Sequence, residues 1–155
     1  MKFLNSSILN SLVLCLVLSI AVSSCKKDDV LEPRISQLKI CDAAPADEIL
    51  CASDKSVFAP SDPAFYASAK FEGITKDTEV TFTMYGKDSD GNWVVMTFLT
   101  FKPSDQGTFD DETAFDLSTN FTKSATQAWP VSDYKIEAQI EVADGPSAEN
   151  EFSVQ

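Results

Sequence analysis

Histidine is absent from the 155 residues. That removes the commonest metal ligand and the commonest general base near neutral pH. Zinc sites built on imidazole, and hydrolysis by a Ser-His-Asp triad, are excluded with it. Basic residues are scarce: 12 Lys and Arg stand against 24 Asp and Glu, for a formal net charge of -12. A chain this acidic lacks the cationic footprint that a phosphate backbone requires, so nucleic acid is not an expected partner. There are only five glycines, and no Gly-rich phosphate loop follows an apolar strand. The length allows one domain of ordinary size rather than two.

What is present begins at the N-terminus. After Met1-Lys2, an apolar run from Ile8 to Val22 is interrupted only by Asn10, Ser11 and Ser19. As a helix it would cover about 22 Å, short of the roughly 30 Å hydrocarbon core of a bilayer. A basic start, a short apolar run and small residues after it describe a secretory signal rather than a membrane span. The run ends Val22-Ser23-Ser24-Cys25. An aliphatic residue, two small ones and a cysteine resemble the lipobox of bacterial lipoproteins. The resemblance implies a signal peptide over 1–24, lipid on Cys25, and membrane lipid as a partner through that residue. Lys26-Lys27-Asp28-Asp29 is similar to the signal that sends some Gram-negative lipoproteins to the outer face of the outer membrane. The expected location is therefore the outer membrane, lipid-anchored and surface-exposed, with its periplasmic face as the alternative. Loss of 1–24 would remove Lys2 and no acid, taking the formal charge from -12 to -13.

Residues 25–55 read as a lipidated tether. Lys26 to about Ser36 is polar, contains Pro33 and has no sustained period. With Cys15 in the signal and Cys25 lipidated, Cys41 and Cys51 remain, ten positions apart in an exported chain. A disulfide is the expectation; a reactive pair or a metal site is the alternative. Two cysteines without histidine make a poor zinc site, and the spacing is not Cys-x-x-Cys.

Residues 56–155 read as all-β. Tyr134, Ile136, Ala138, Ile140 and Val142 alternate with Lys135, Glu137, Gln139 and Glu141, the pattern of a half-buried antiparallel strand. Phe152 and Val154 mark a last short strand. Val80, Phe82 and Met84 share one face of another, opposite Thr81, Thr83 and Tyr85. A turn containing Asp90-Gly91 leads into Trp93 to Phe101, apolar at many positions on both faces and so expected to be central and well covered. In that strand Trp93, Val95, Leu99 and Phe101 share one phase, and Val94, Met96 and Phe98 the other. Further strands are expected at Phe115 to Phe121, around Ala67 to Phe71, and at Val57-Phe58. The fold class is an immunoglobulin-like antiparallel β-sandwich of about seven strands. Trp129-Pro130-Val131-Ser132-Asp133-Tyr134-Lys135-Ile136, with Phe152-Ser153-Val154 at the end, resembles the last strands of immunoglobulin-like domains in bacterial secreted proteins. It implies a tyrosine corner at Tyr134, its hydroxyl bonded to backbone just upstream.

Chemistry is thinly marked. Asp88, Asp90 and Asn92 around Gly91 resemble the start of a calcium loop, but the twelfth position, which needs a bidentate Glu, is Leu99. A plain hairpin is the main reading, with calcium the only cofactor to consider. Acids are abundant, yet nothing singles out a pair for glycoside hydrolysis, so no catalytic residue is assigned and no enzyme is expected. Trp129, Trp93, Tyr85 and Tyr66 are candidate ligand contacts, although core packing is the main reading for each. The expected function is non-catalytic: protein interaction or accessory structure in the cell envelope, through an envelope protein or a glycan. The rival is a carbohydrate-binding module of a glycan-capture system. A loop-end cluster of exposed Trp and Tyr would favour the rival. An apolar patch or an unpaired edge strand would favour a protein partner.

Overall fold

The computed structural model describes residues 31–44, 49–107, 112–124 and 126–155. The signal segment, Cys15, Cys25 and Lys26 to Asp29 lie outside them, as do residues 108–111. The strands are β1 (Arg34–Cys41), β2 (Val57–Phe58), β3 (Ala64–Glu72), β4 (Val80–Lys87), β5 (Trp93–Phe101), β6 (Ala114–Thr122), β7 (Ser132–Ile140) and β8 (Ser147–Val154). One sheet has the order β1-β3-β6, the other β2-β8-β7-β4-β5. All pairs are antiparallel except β2 with β8. The all-β sandwich expected from the alternating strands is thus the observed architecture. Among the described residues, no helix is long and apolar enough to cross a membrane.

The core lies between the sheets. β7 contributes Tyr134, Ile136, Ala138 and Ile140, and β4 contributes Val80, Phe82 and Met84, all buried. From the facing sheet come Phe65, Ala67, Ala69 and Phe71 of β3, and Phe115, Leu117 and Phe121 of β6. Phe65 is the hub of an aromatic cluster. Its ring stacks on Trp129 at 4.2 Å and meets Phe58 and Phe152 edge-on at 4.9 and 4.8 Å. Burying one such ring is worth about 1.5–3 kcal/mol over leaving it exposed.

Three expectations change. Arg34–Cys41, read as tether, is a strand with β3 as its partner, so the sandwich begins well before residue 56. Its alternation is broken by a register shift between Ser36 and Lys39, with Gln37 at φ 56°, which hides the period of two from a sequence reading. Val142 is exposed, because the strand stops at Ile140 and the chain turns through Asp144 and Gly145. Most consequential, β5 is not central. It is the edge of the larger sheet, and seven of its nine residues are exposed.

The Cys41–Cys51 disulfide is present, with Cα atoms 6.0 Å apart. It returns the chain alongside β1. Cys51 N–H donates to the buried Ser68 hydroxyl at 2.8 Å. Lys55 N–H donates to the Ile40 carbonyl at 2.7 Å. Asp54 Oδ1 accepts from Ile40 N–H at 2.8 Å and from the Asn150 side-chain amide at 2.9 Å, which ties β1 to β8 across the two sheets.

Candidate functional site

The β4–β5 hairpin carries the features that the core does not use. Its turn is built by Asp88, whose Oδ1 accepts from the N–H groups of Asp90 and Asn92 at 2.9 and 2.8 Å. Gly91, at φ 83°, closes it. The Asn92 N–H, before the other turn donors, holds the Asp88 carboxyl below its ordinary range. This oxygen is therefore committed to the turn, and among the described residues no group of three or more Asp, Glu, Cys or His side chains could hold a metal ion. Asp88, Asp90 and Asn92 form a hairpin turn.

Beyond the turn, β5 pairs with β4 up to a one-residue bulge. Phe101, Leu99 and Thr97 lie opposite Val80, Phe82 and Met84, whereas Val95 and Val94 lie opposite Tyr85 and Gly86, with Met96 left over. A bulge of one residue reverses the side-chain phase along the rest of the strand. Phe98 and Thr100 therefore share the outer face with Val95 and Trp93, and Leu99 shares the inner phase with Val94. This regroups the two sets expected from simple alternation.

The inner face of β5 is exposed because the facing sheet has three strands and this one has five. Met96 sits between two open cavities. One of about 220 Å³ is lined by Gly86, Val94, Pro130 and Tyr134 among others. The other, about 530 Å³, is lined by Thr122, Lys123, Gln127 and Trp129 among others. On the outer face Phe98 is 63% exposed and Val95 53%, and Val94, Met96 and Leu99 are also exposed. Five exposed apolar side chains on one strand, interrupted only by Thr97 and spread over both faces, exceed the scattered surface hydrophobics of ordinary domains.

Two of the four aromatic candidates come together. Tyr85 and Trp93 lie on the outer face under one cation: Lys135 Nζ is 4.7 Å from the Tyr85 ring centre and 5.5 Å from that of Trp93. Lys87 also lies over Trp93, at 5.0 Å. The Tyr85 hydroxyl donates to Glu137 at 2.7 Å. That hydrogen bond, then burial, pushes the phenol up to about 12. Tyr66 is half-buried on β3, in the other sheet. Trp129 is corrected to a core residue: it is 6% exposed, stacked on Phe65, with its indole N–H donating to the Asp62 carbonyl at 2.9 Å.

The expected membrane-lipid partner is also corrected. The described cysteines, Cys41 and Cys51, are bonded to each other, so no free cysteine for lipid attachment is found among the described residues. Cys25, the expected attachment point, lies outside them.

No protein-family model matches the chain, and no curated protein matches it. Among solved structures, the Pseudomonas fluorescens alkylpurine DNA glycosylase AlkC bound to abasic-site DNA is 10% identical, with a TM-score of 0.48 over 80% of this chain and 30% of that one. Parabacteroides merdae β-glucuronidase is 12% identical, with a TM-score of 0.41 over 79% of this chain and 14% of that one. The chain thus spans less than a third of either protein. Likenesses this low say nothing of its activity.

Proposed function

We propose that the protein is an exported, non-catalytic module of immunoglobulin-like type that associates with protein in the cell envelope through the β5 edge. The observation that carries this reading is β5 itself: an uncharged edge strand, apolar on both faces and exposed along most of its length. An edge strand offers backbone groups to an added strand, and side-chain recesses beside it give selectivity. The two cavities flanking Met96 suit that role. The disulfide supports export, since such bonds persist in oxidising compartments. The immunoglobulin-like reading is supported by the strand order and by the Tyr134 hydroxyl, which donates to the Pro130 carbonyl at 2.8 Å as a tyrosine corner requires.

Tyr85 and Trp93 on one open face are the observation that favours the rival, a carbohydrate-binding module. Lys135 over both rings leaves less bare ring face for a sugar to stack on. A photo-cross-linking residue at position 98 in the producing cell separates the readings, with Glu151, exposed on β8, as control position. A discrete protein adduct from 98 and none from 151 is expected. Saturable glycan binding, with no protein adduct from 98, would overturn the proposal.

A further inference from the structure

The other sheet edges are defended. β2 is two residues long. β1 carries Arg34 and Lys39 and is kinked at Gln37. β6 carries Asp116 and Asn120. Short strands, charges and kinks are the usual means of preventing edge-to-edge pairing. β5 has no charge in nine residues, and its single irregularity is the bulge at Met96.

That bulge makes the strand complementary to itself. Residues directly opposite in an antiparallel pair must share a face. Because the phase reverses at Met96, a two-fold pair of β5 strands can set Phe98 opposite Val95 and Thr100 opposite Trp93 on the outer face. The same register sets Leu99 opposite Val94 on the inner face. The most exposed apolar side chains of β5 in one copy then meet those of the other. Lys102 falls opposite Gly91 of the second copy, next to the exposed Asp90 of that copy, and the two-fold repeats this contact at the far end. Lys102 pairs with Glu79 of its own chain at 3.8 Å, a long, exposed ion pair of little strength that Asp90 of the second copy can share.

From this matching of faces and ends we infer that the occupant of the β5 edge is a second copy of the chain, joined antiparallel to make one continuous sheet of ten strands. The inference rests on the reading of β5 as the association surface and adds the identity of the partner. A self-paired contact of this kind has closed two-fold symmetry and leaves no further edge of the same type. The net charge of each copy opposes association, but charges farther apart than about 8 Å are largely screened at physiological salt. The exposed Lys102–Asp90 contact sets the register more than the strength.

The test uses the full chain. Sedimentation equilibrium should show a concentration-dependent dimer. A cross-linker at position 98, in a mixture of light and isotopically heavy chains, should give mixed adducts that map to residues 94–96. Val95→Lys with Phe98→Lys should raise the dissociation constant at least roughly tenfold. Lys102→Asp should weaken the dimer up to about fivefold, and adding Asp90→Lys should restore it. A monomer at all concentrations, or mixed adducts that map elsewhere, overturns the second copy as occupant. If position 98 then cross-links a different protein in the cell, association through β5 stands without self-pairing. If it cross-links nothing in either setting, both readings fail.

Discussion

Cutting the Cys41–Cys51 bridge is the perturbation whose size follows most directly from the structure. The bond closes a loop with a sequence separation of 10. Loop-closure entropy for that length is about 9 cal/mol/K, or about 2.7 kcal/mol at 25 °C. The bridged segment also carries native contacts: Cys51 N–H on Ser68, Asp54 on Ile40 and Asn150, and Lys55 on Ile40. Those contacts can still form once the bond is gone, and the entropy figure is the extra freedom the chain must then lose to form them. A domain of this size loses roughly 3–5 °C of Tm per kcal/mol, so a fall of about 10 °C is expected. The assay is thermal unfolding followed by circular dichroism, for the oxidised chain, the reduced chain and the Cys41→Ala/Cys51→Ala double variant. The last two should agree. A reduced chain that melts within about 2 °C of the oxidised one, with thiol titration confirming reduction, would refute the claim that the bridge restrains the unfolded chain.

Two further outcomes are expected. Tyr134→Phe leaves the Pro130 carbonyl without its 2.8 Å donor and should cost about 1–3 kcal/mol, read from urea unfolding; no change in midpoint would remove the corner from the account of stability. In an absorbance titration at 295 nm, the Tyr85 phenol should ionise near 12 because of Glu137, and Glu137→Gln should bring it down. The sign follows from the shift. The folded state holds this proton more tightly, so the stabilisation is intact below the ordinary phenol pKa of about 10 and is lost as pH rises through about 12. A Tyr85 titration that Glu137→Gln leaves unmoved would show that the hydrogen bond is not its cause.

Much of the sandwich was legible because its middle strands bury one face and wet the other. Tyr134 to Ile140 and Val80 to Met84 alternate cleanly and lie where the alternation put them. Two errors share one physical origin, an extra residue in a strand. In β1 the shift near Gln37 spoils the period, so a paired strand passes for a spacer. In β5 the bulge at Met96 exchanges the faces of everything before it. The exposure of β5 depends on something no single strand can reveal, the mismatch of three strands against five. A strand apolar on both faces is central in most sheets, so the composition of β5 pointed inward. For Trp129 the sequence left ligand contact and core packing both open, and packing against Phe65 decides for the core. Tyr85 and Trp93 could be named as aromatic, but only the β4–β5 pairing places both beneath Lys135.

The bond between Cys41 and Cys51 also governs how the chain carries tension. A pull on Leu31 reaches β1 first. If β1 peels from β3, the load passes through sulfur from Cys41 to Cys51 and skips the intervening loop. At about 3.5 Å per extended residue, some 35 Å of slack is never paid out. The force arrives next at Val57 and Phe58, which lie parallel to Ser153 and Val154. Opposed pulls on the two termini drag those short strands past each other, loading their hydrogen bonds together instead of one after another.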